Sequence, residues 1–187
     1  MNRRHFLQTT ALATCAANAA EKPTIRFGAC DWTLRLAANP DSLDLAKRIG
    51  LEGVQVDYGT EPTADGRLPL FDEALQDQHL QRSADTGVAI PSLAMGVLNK
   101  HGLKNSAEAE RWMLDGVAVA KRMKVRVVLL AFFGNGDLRN DDAGTQAVIA
   151  KLKKLAPLAA EAGIVYGVES RLKGDALERI LDAVKAP

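Results

Sequence analysis

The chain has 187 residues, a length typical of one domain, with 24 basic and 23 acidic side chains and a formal net charge of +1. Hydrophobic residues make up 47% of the sequence and charged residues 25%, which is ordinary for a folded globular protein. The near-neutral balance disfavours a nucleic-acid partner, which would favour a basic face, and no apolar run reaches the roughly 18 residues that a membrane span needs.

Residues 1–20 differ in composition from the rest of the chain and are predicted to be a signal peptide. An Arg-Arg pair at residues 3–4, followed by Phe6 and Leu7, resembles the twin-arginine export motif. The small-x-small sequence at residues 17–19 suits a cleavage site. We therefore expect a periplasmic or secreted protein. A basic amphipathic first helix is the alternative, although the segment has no acidic residue and no capping signal.

After this segment a strand–loop–helix unit is repeated five times, with strand starts about 29 to 39 residues apart, the size of one βα unit. A complete β/α barrel has eight such units and roughly 250 residues, and a sixth strand would be due where the sequence stops at Pro187. We therefore expect residues 24–187 to form the N-terminal part of a barrel. The predicted strands are residues 25–30, 54–58, 88–94, 125–133 and 164–169.

The fourth predicted strand, residues 125–133, is apolar except for Arg126, which is typical of a parallel strand covered on both faces. Strictly alternating strands and helices fit either a barrel or an open doubly wound sheet, and the open sheet often carries a glycine-rich phosphate loop after its first strand. Residues 31–35 (DWTLR) contain no glycine. This favours an α/β fold that is a partial (β/α)8 TIM barrel, with parallel strands and outer helices. Pro157 is predicted to begin a second helical piece, because a proline inside a helix removes a hydrogen bond.

Polar side chains follow the predicted strands at the end of a barrel where active sites lie. Asp31 and Trp32 follow the first strand, Asp57 lies at the end of the second, and His101 lies in the loop beyond the third. All four are candidate substrate contacts. The alternatives are a loop cap for Asp57 and a solvated loop histidine for His101.

Glu169 ends the fifth predicted strand, so its carboxylate is expected to open into the barrel mouth. Its predicted functions are to bind a metal ion and to abstract or return a proton. The alternative is a structural acid that pairs with Arg171. Acidic and amide side chains aimed at one mouth could bind a polyol and a divalent cation.

Four segments resemble the sugar phosphate isomerase/epimerase family, the group of xylose isomerase-like TIM barrels. They are residues 27–32 (FGACDW), 53–56 (GVQV), 129–134 (LLAFFG) and 162–170 (AGIVYGVES). In such barrels two Glu, one Asp and one His typically hold a divalent metal, often Mn²⁺, Mg²⁺ or Co²⁺. The two Glu move a proton beside the substrate carbonyl through an enediolate.

The resemblance implies a metal-dependent sugar or sugar-phosphate isomerase or epimerase of the secreted twin-arginine type. Glu169 corresponds to the first Glu of the family, whereas the other three ligands would come from strands six to eight. The chain alone is therefore expected not to turn over its sugar or polyol substrate. A non-catalytic extracellular sugar-binding barrel is one alternative, and a metal-dependent endonuclease acting at abasic sites is another. Unpaired edges on strands one and five would favour pairing between copies of the chain.

Overall fold

The computed structural model describes residues 25–185, so the predicted signal peptide at residues 1–20 lies outside the described part of the chain. The strands are β1 (Gly28–Cys30), β2 (Gly53–Asp57), β3 (Leu93–Met95), β4 (Val127–Phe132) and β5 (Val165–Ser170), and the helices are α1 (Asp41–Arg48), α2 (Glu73–Thr86), α3 (Ala107–Arg122), α4 (Asp142–Ala162) and α5 (Gly174–Val184). All the pairings are parallel, and the strand order across the sheet is the order along the chain. The prediction of a partial β/α barrel with about five units is confirmed.

The core lies between the sheet and its helices, and it is densest around β2 and β3. Four of the five residues of β2 are buried, and all three residues of β3 are. Trp112 of α3 is 1% exposed, and its indole Nε1 donates a hydrogen bond to the Gly66 carbonyl at 2.9 Å. Large apolar side chains buried this fully each contribute roughly 1.5–3 kcal/mol, so packing around β2 and β3 is a major source of the stability of the fold.

The third strand is shorter than the predicted range of residues 88–94. Ala89 forms only an isolated bridge with Gly53, and regular pairing resumes at Leu93. Pro91 lies between these two points and has no N–H to donate to a ladder. The prediction is therefore wrong before Leu93, because the proline interrupts the strand that the apolar pattern suggested.

Helix α4 is one continuous helix of 21 residues, so the predicted break at Pro157 is wrong. Pro157 is exposed and has no N–H to donate to the carbonyl of Lys153, four residues earlier. Lys153 is exposed as well. Leu155 and Ala159 stay buried on the other face, and their packing holds the helix together across the proline. The helix ends at Gly163, whose φ of 68° is a left-handed cap that favours glycine.

Within residues 25–185, β1 and β5 are the edge strands of the sheet. Apolar side chains are exposed near both edges, including Phe27 at 67% and Val165 at 59%. Pairing between copies through these edges stays a prediction. No helix in the described range has both the length and the apolar character that a membrane crossing requires.

Candidate functional site

A cavity of about 400 Å³ opens at the C-terminal ends of β2 to β5. Its volume is within the range of small-molecule sites, roughly 300–1,000 Å³. Trp32, Asp57 and Glu169, three of the five predicted site residues, line it together with Phe133 and three apolar residues of β3 and β4, namely Ala94, Leu129 and Ala131. The rule that parallel strands aim their terminal side chains at one mouth therefore brings these three residues together.

Glu169 lies in β5 directly opposite Ala131 of β4, and its side chain is exposed to the cavity. Its carboxylate accepts no side-chain hydrogen bond and forms no ion pair with any residue between 25 and 185. The predicted alternative, a structural pair with Arg171, is not formed. The Arg171 guanidinium carbon lies instead 5.9 Å from the centroid of the Phe133 ring. Glu169 is thus free to meet a ligand.

Asp57 lies in the cavity wall but is only 2% exposed. Its Oδ1 accepts a hydrogen bond from the Gly59 N–H at 2.7 Å, and its Oδ2 accepts one from the Gly96 N–H at 3.0 Å. Burial raises the pKa of Asp57 to about 7, and the nearby charge of Asp31 adds to this against the two backbone hydrogen bonds. The carboxylate therefore fixes the loops after β2 and β3, and its contact with substrate stays a prediction.

Asp31 is fully buried and does not line the cavity, so its predicted contact with substrate does not fit this geometry. Its Oδ2 accepts hydrogen bonds from the backbone N–H of Ala38 at 2.9 Å and of Asp57 at 2.8 Å, whereas its Oδ1 has no protein partner. Burial raises the pKa of Asp31 to about 6. The chain turns directly after β1, and the backbone N–H of Ala38 in this turn holds the Asp31 carboxylate inside, whereas Trp32 lines the cavity.

His101 also lies outside the cavity, and its predicted contact with substrate does not fit either. Its ring makes an edge contact with Trp112, with the centroids 5.4 Å apart, and its Nε2 is 3.9 Å from Glu61 Oε2. The short 3₁₀ turn at Gly96–Asn99 carries the chain away from the mouth before His101 is reached. Asn99, within that turn, lines the cavity instead.

A hydrogen-bonded chain of three side chains crosses β1, β2 and the approach to β3. The Cys30 thiol donates to Gln55 Oε1 at 3.3 Å, and Gln55 Nε2 donates to Ser92 Oγ at 2.8 Å. Cys30 and Gln55 are not among the predicted site residues. The available signal was Gln55 itself, an uncharged polar side chain within the otherwise apolar residues 53–56 of β2. Burial raises the pKa of the Cys30 thiol, and the charges of Asp31, Glu169 and Asp57 raise it further.

The described residues supply only part of a metal site. No cluster of three or more His, Cys, Asp or Glu side chains in residues 25–185 could hold a metal ion. Both oxygens of Asp57 already accept backbone hydrogen bonds, which leaves Glu169 as the free carboxylate of the cavity. Divalent cations such as Mg²⁺ take several oxygen ligands. The donor set of residues 25–185 therefore does not fit a complete centre.

Solved structures share this fold at low sequence identity. A xylose isomerase domain protein from Planctomyces limnophilus matches with a TM-score of 0.66 and 16% identity, covering 89% of this chain and 62% of its own. A D-psicose 3-epimerase with D-tagatose from Clostridium cellulolyticum H10 matches with a TM-score of 0.64 and 9% identity, and the match covers 86% of this chain and 60% of the epimerase. A xylose isomerase-like TIM barrel protein from Mycobacterium smegmatis in complex with magnesium matches with a TM-score of 0.66 and 15% identity, and the match covers 87% of this chain and 62% of that protein.

The chain thus spans about three fifths of the length of these structures, and the likeness extends to the fold. No curated protein sequence matches it significantly. Residues 43–187 match the sequence model of a family described as the xylose isomerase-like TIM barrel. This match covers most of the chain and agrees with the five parallel βα units, so the chain belongs to the xylose isomerase-like TIM barrel family.

Proposed function

We propose that the chain is part of a sugar isomerase or epimerase in which Glu169 moves a proton next to the substrate carbonyl. The observation that carries the proposal is the free carboxylate of Glu169 at the end of β5, in a cavity at the catalytic end of the barrel strands. The fold shared with a D-psicose 3-epimerase supports this choice of chemistry.

The residues around the cavity suit a small polyol. Trp32 and Phe133 offer aromatic faces against which the C–H groups of a sugar pack, and Asn99 offers an amide to its hydroxyls. Glu169 would abstract the proton from the carbon beside the carbonyl and return it, through an enediolate. It is also the ligand that the chain would contribute to a centre for Mn²⁺, Mg²⁺ or Co²⁺, which supplies electrophilic stabilisation when it is complete.

Hydrogen exchange tests this proposal more sensitively than net turnover. The full chain is incubated with D-fructose in D₂O, and deuterium at the carbons beside the carbonyl is followed by NMR. We expect little net epimerisation, because the described residues lack a complete metal site. We expect exchange at least about tenfold faster than in Glu169→Gln, since general acid–base catalysis contributes about 10²–10⁴-fold.

Glu178→Gln is the matched control, because Glu178 is an exposed glutamate on α5 and the charge change is the same. It should exchange at the wild-type rate. Equal rates in the wild-type chain and Glu169→Gln would contradict the proposal.

Sugar binding without catalysis is a second candidate, favoured by the incomplete set of metal donors in residues 25–185. It predicts that D-fructose binds in the cavity, that a chelator does not weaken binding, and that no deuterium enters the sugar. The exchange experiment with a parallel binding titration separates the two candidates.

Export is the last part of the proposal and rests on the motif at residues 3–7. The full chain produced in a bacterium with a working twin-arginine system should reach the periplasm. Replacing both Arg3 and Arg4 with lysine should retain it in the cytoplasm, as measured by fractionation and immunoblotting.

A further inference from the structure

The side-chain amide of Asn99 is held in one orientation. Its Oδ1 accepts a hydrogen bond from the backbone N–H of Phe133 at 2.9 Å. A backbone N–H can only donate, so the amide atom that meets it is the oxygen, and the Nδ2 group with its two N–H donors lies on the other branch. Nδ2 is not among the buried polar atoms that lack a partner in residues 25–185. Its donors are therefore available to a ligand of the cavity that Asn99 lines.

Asn99 and Glu169 lie on opposite sides of the C-terminal end of β4. Glu169 of β5 pairs with Ala131, whereas Asn99, beyond β3, accepts the N–H of Phe133, two residues further along. All four residues line the same cavity. Because β4 lies between β3 and β5, two strand spacings of about 4.8 Å separate the flanking strands. This leaves room for a carbonyl group and its neighbouring carbon between contacts of about 3 Å on either side.

The two side chains offer opposite chemistry to a ligand that lies between them. The carboxylate of Glu169 accepts protons and hydrogen bonds, whereas the free branch of the Asn99 amide only donates hydrogen bonds. A carbonyl oxygen only accepts, so it suits the amide and is disfavoured beside the carboxylate. No lysine or arginine of the described chain lines the cavity, so negative charge on that oxygen has to be stabilised by neutral donors. A donor that is already oriented does this without reorganisation.

We propose that Asn99 is a catalytic residue, which binds the substrate carbonyl oxygen and stabilises the negative charge that this oxygen carries in the enediolate. The inference rests on the proposed function, because it places the proton transfer at Glu169, and it goes further by assigning the group that binds the oxygen. When Glu169 takes the proton, the C–H electron pair forms the C=C bond and the C=O π pair moves to the oxygen. Return of the proton reverses both movements.

Asn99→Asp removes the proposed contact and keeps the structural one. The substituted carboxylate still has an oxygen for the Phe133 N–H, but its second oxygen takes the place of the two donors. Asn99→Ala removes both contacts. The midpoint of thermal unfolding should therefore match the wild-type value in Asn99→Asp and lie about 2–4 °C lower in Asn99→Ala. Asn105→Asp is the matched control, because it makes the same change at an exposed position outside the cavity.

Deuterium exchange into D-fructose, measured as for Glu169→Gln, gives the catalytic test. Removing one donor from a developing oxyanion lowers rates about 10²–10³-fold in complete active sites. We expect both Asn99 variants to lower Glu169-dependent exchange about tenfold or more, and Asn105→Asp to keep the wild-type rate. The deficit of Asn99→Asp should persist at every pD, because the lost donor does not titrate. A deficit that disappears as pD rises would mean that the new charge acts on the protonation of Glu169, which contradicts the proposal.

Binding gives a readout that does not depend on turnover. Trp32 lines the cavity and is 38% exposed, whereas Trp112 is 1% exposed in the core, so quenching of tryptophan fluorescence reports on the cavity. The full chain is titrated in EDTA with D-arabinonohydroxamate, whose planar end resembles the enediolate, and with D-arabinitol, which lacks the carbonyl oxygen. We expect the hydroxamate to bind about tenfold or more tightly. Asn99→Asp should remove this advantage, and Asn105→Asp should keep it.

The failure of this inference and that of the proposed function give different results. Exchange that needs Glu169 but is unchanged in both Asn99 variants would reject this inference and keep the proposed function. A preference for the hydroxamate that needs Asn99, without exchange that needs Glu169, would keep Asn99 as the carbonyl-binding residue and reject Glu169 as the base. Equal binding of hydroxamate and alditol, a preference that survives Asn99→Asp, or no binding of either compound would overturn the assignment of Asn99.

Discussion

The β1–β2 side of the cavity and its β5 side both carry carboxylates, but they hold them in opposite ways. Asp31 and Asp57 are buried and accept four backbone hydrogen bonds between them. Glu169 is exposed and has no protein partner in residues 25–185. A buried carboxylate that accepts backbone N–H groups stabilises loops, whereas an unpartnered one in a cavity can exchange a proton with a ligand. Position at a strand end therefore does not by itself make an acid catalytic.

The two sides also differ in the strands that support them. Four of the five residues of β2 are buried, whereas none of the six residues of β5 is. A buried strand suits acids whose carboxylates accept hydrogen bonds from the loops of the mouth. Substitutions on the β1–β2 side should consequently affect folding, and those on the β5 side should affect ligand chemistry.

The largest expected effect on stability is that of Asp57→Ala. The substitution leaves the N–H groups of Gly59 and Gly96 without their acceptor, and each orphaned buried group costs about 1–3 kcal/mol. The free energy of unfolding should fall by about 2–6 kcal/mol, measured by urea denaturation at about pH 4, where Asp57, with its pKa raised to about 7, is protonated in the folded chain and its ionisation does not offset the loss. Asp115→Ala, at an exposed position of α3, should change it by less than about 0.5 kcal/mol. Similar values for both variants would remove the distinction between the two kinds of acid.

Gly96→Ala should have a smaller effect that depends on Asp57. A Cβ atom at Gly96 would lie 2.6 Å from Asp57 Oδ2, so the methyl group forces the carboxylate aside at a cost of about 1–3 kcal/mol. The same substitution in the Asp57→Ala background should cost less, with a coupling of about 0.5 kcal/mol or more. Gly174→Ala is the control, since nothing lies within 4 Å of its added Cβ. Strictly additive energies would show that the carboxylate does not fill this space.

The fold was predictable from the sequence because parallel barrel strands are buried on both faces and repeat at the length of a βα unit. The two errors were local. Pro91 interrupts a run that is apolar enough to be a strand, and Pro157 is tolerated in α4 because its face of the helix is open to solvent. At Pro91 the missing N–H outweighed the apolar pattern, whereas at Pro157 the tertiary packing of the opposite helix face, which the sequence pattern does not specify, decided the outcome.

The candidate site was predictable only in part, for a similar reason. The strand-end rule places Trp32, Asp57 and Glu169 in one cavity. It cannot anticipate that the loop after β1 returns to donate the Ala38 N–H to Asp31, a contact seven residues apart that buries the carboxylate. Nor does it anticipate the 3₁₀ turn that removes His101 from the mouth. Loop conformation, rather than strand register, determined which acids stayed accessible.

The pH dependence of stability should report on the ionisation of the two buried acids. The pKa of Asp57 is raised to about 7 and that of Asp31 to about 6, from 3.8, so the folded chain keeps protons that the unfolded chain has released. The free energy of unfolding should therefore be highest near pH 4 and fall as pH rises to about 7, by up to about 1.4 kcal/mol per pH unit for each group.

The buried His79 contributes in the opposite sense below pH 6.5, because burial lowers its pKa. Urea denaturation of the wild-type chain is therefore compared with that of Asp57→Asn. His79 is present in both proteins, so its contribution cancels in the difference between their free energies of unfolding. The variant should show a flatter fall between about pH 4 and 7. Parallel slopes in the wild-type chain and Asp57→Asn would mean that Asp57 is ionised normally in the fold.

The smallest expected effect is that of Glu169→Gln on the pKa of the Cys30 thiol. Burial raises the thiol pKa, and the charges of Asp31, Glu169 and Asp57 add to it. Removing one of these charges should lower that pKa, because the thiolate then meets less repulsion. The pH profile of alkylation by iodoacetamide measures it, in a Cys15→Ala background so that Cys30 is the only thiol. Glu178→Gln should leave the profile unchanged. If Glu169→Gln also leaves it unchanged, the Glu169 carboxylate does not face the interior that Cys30 shares with the two buried acids.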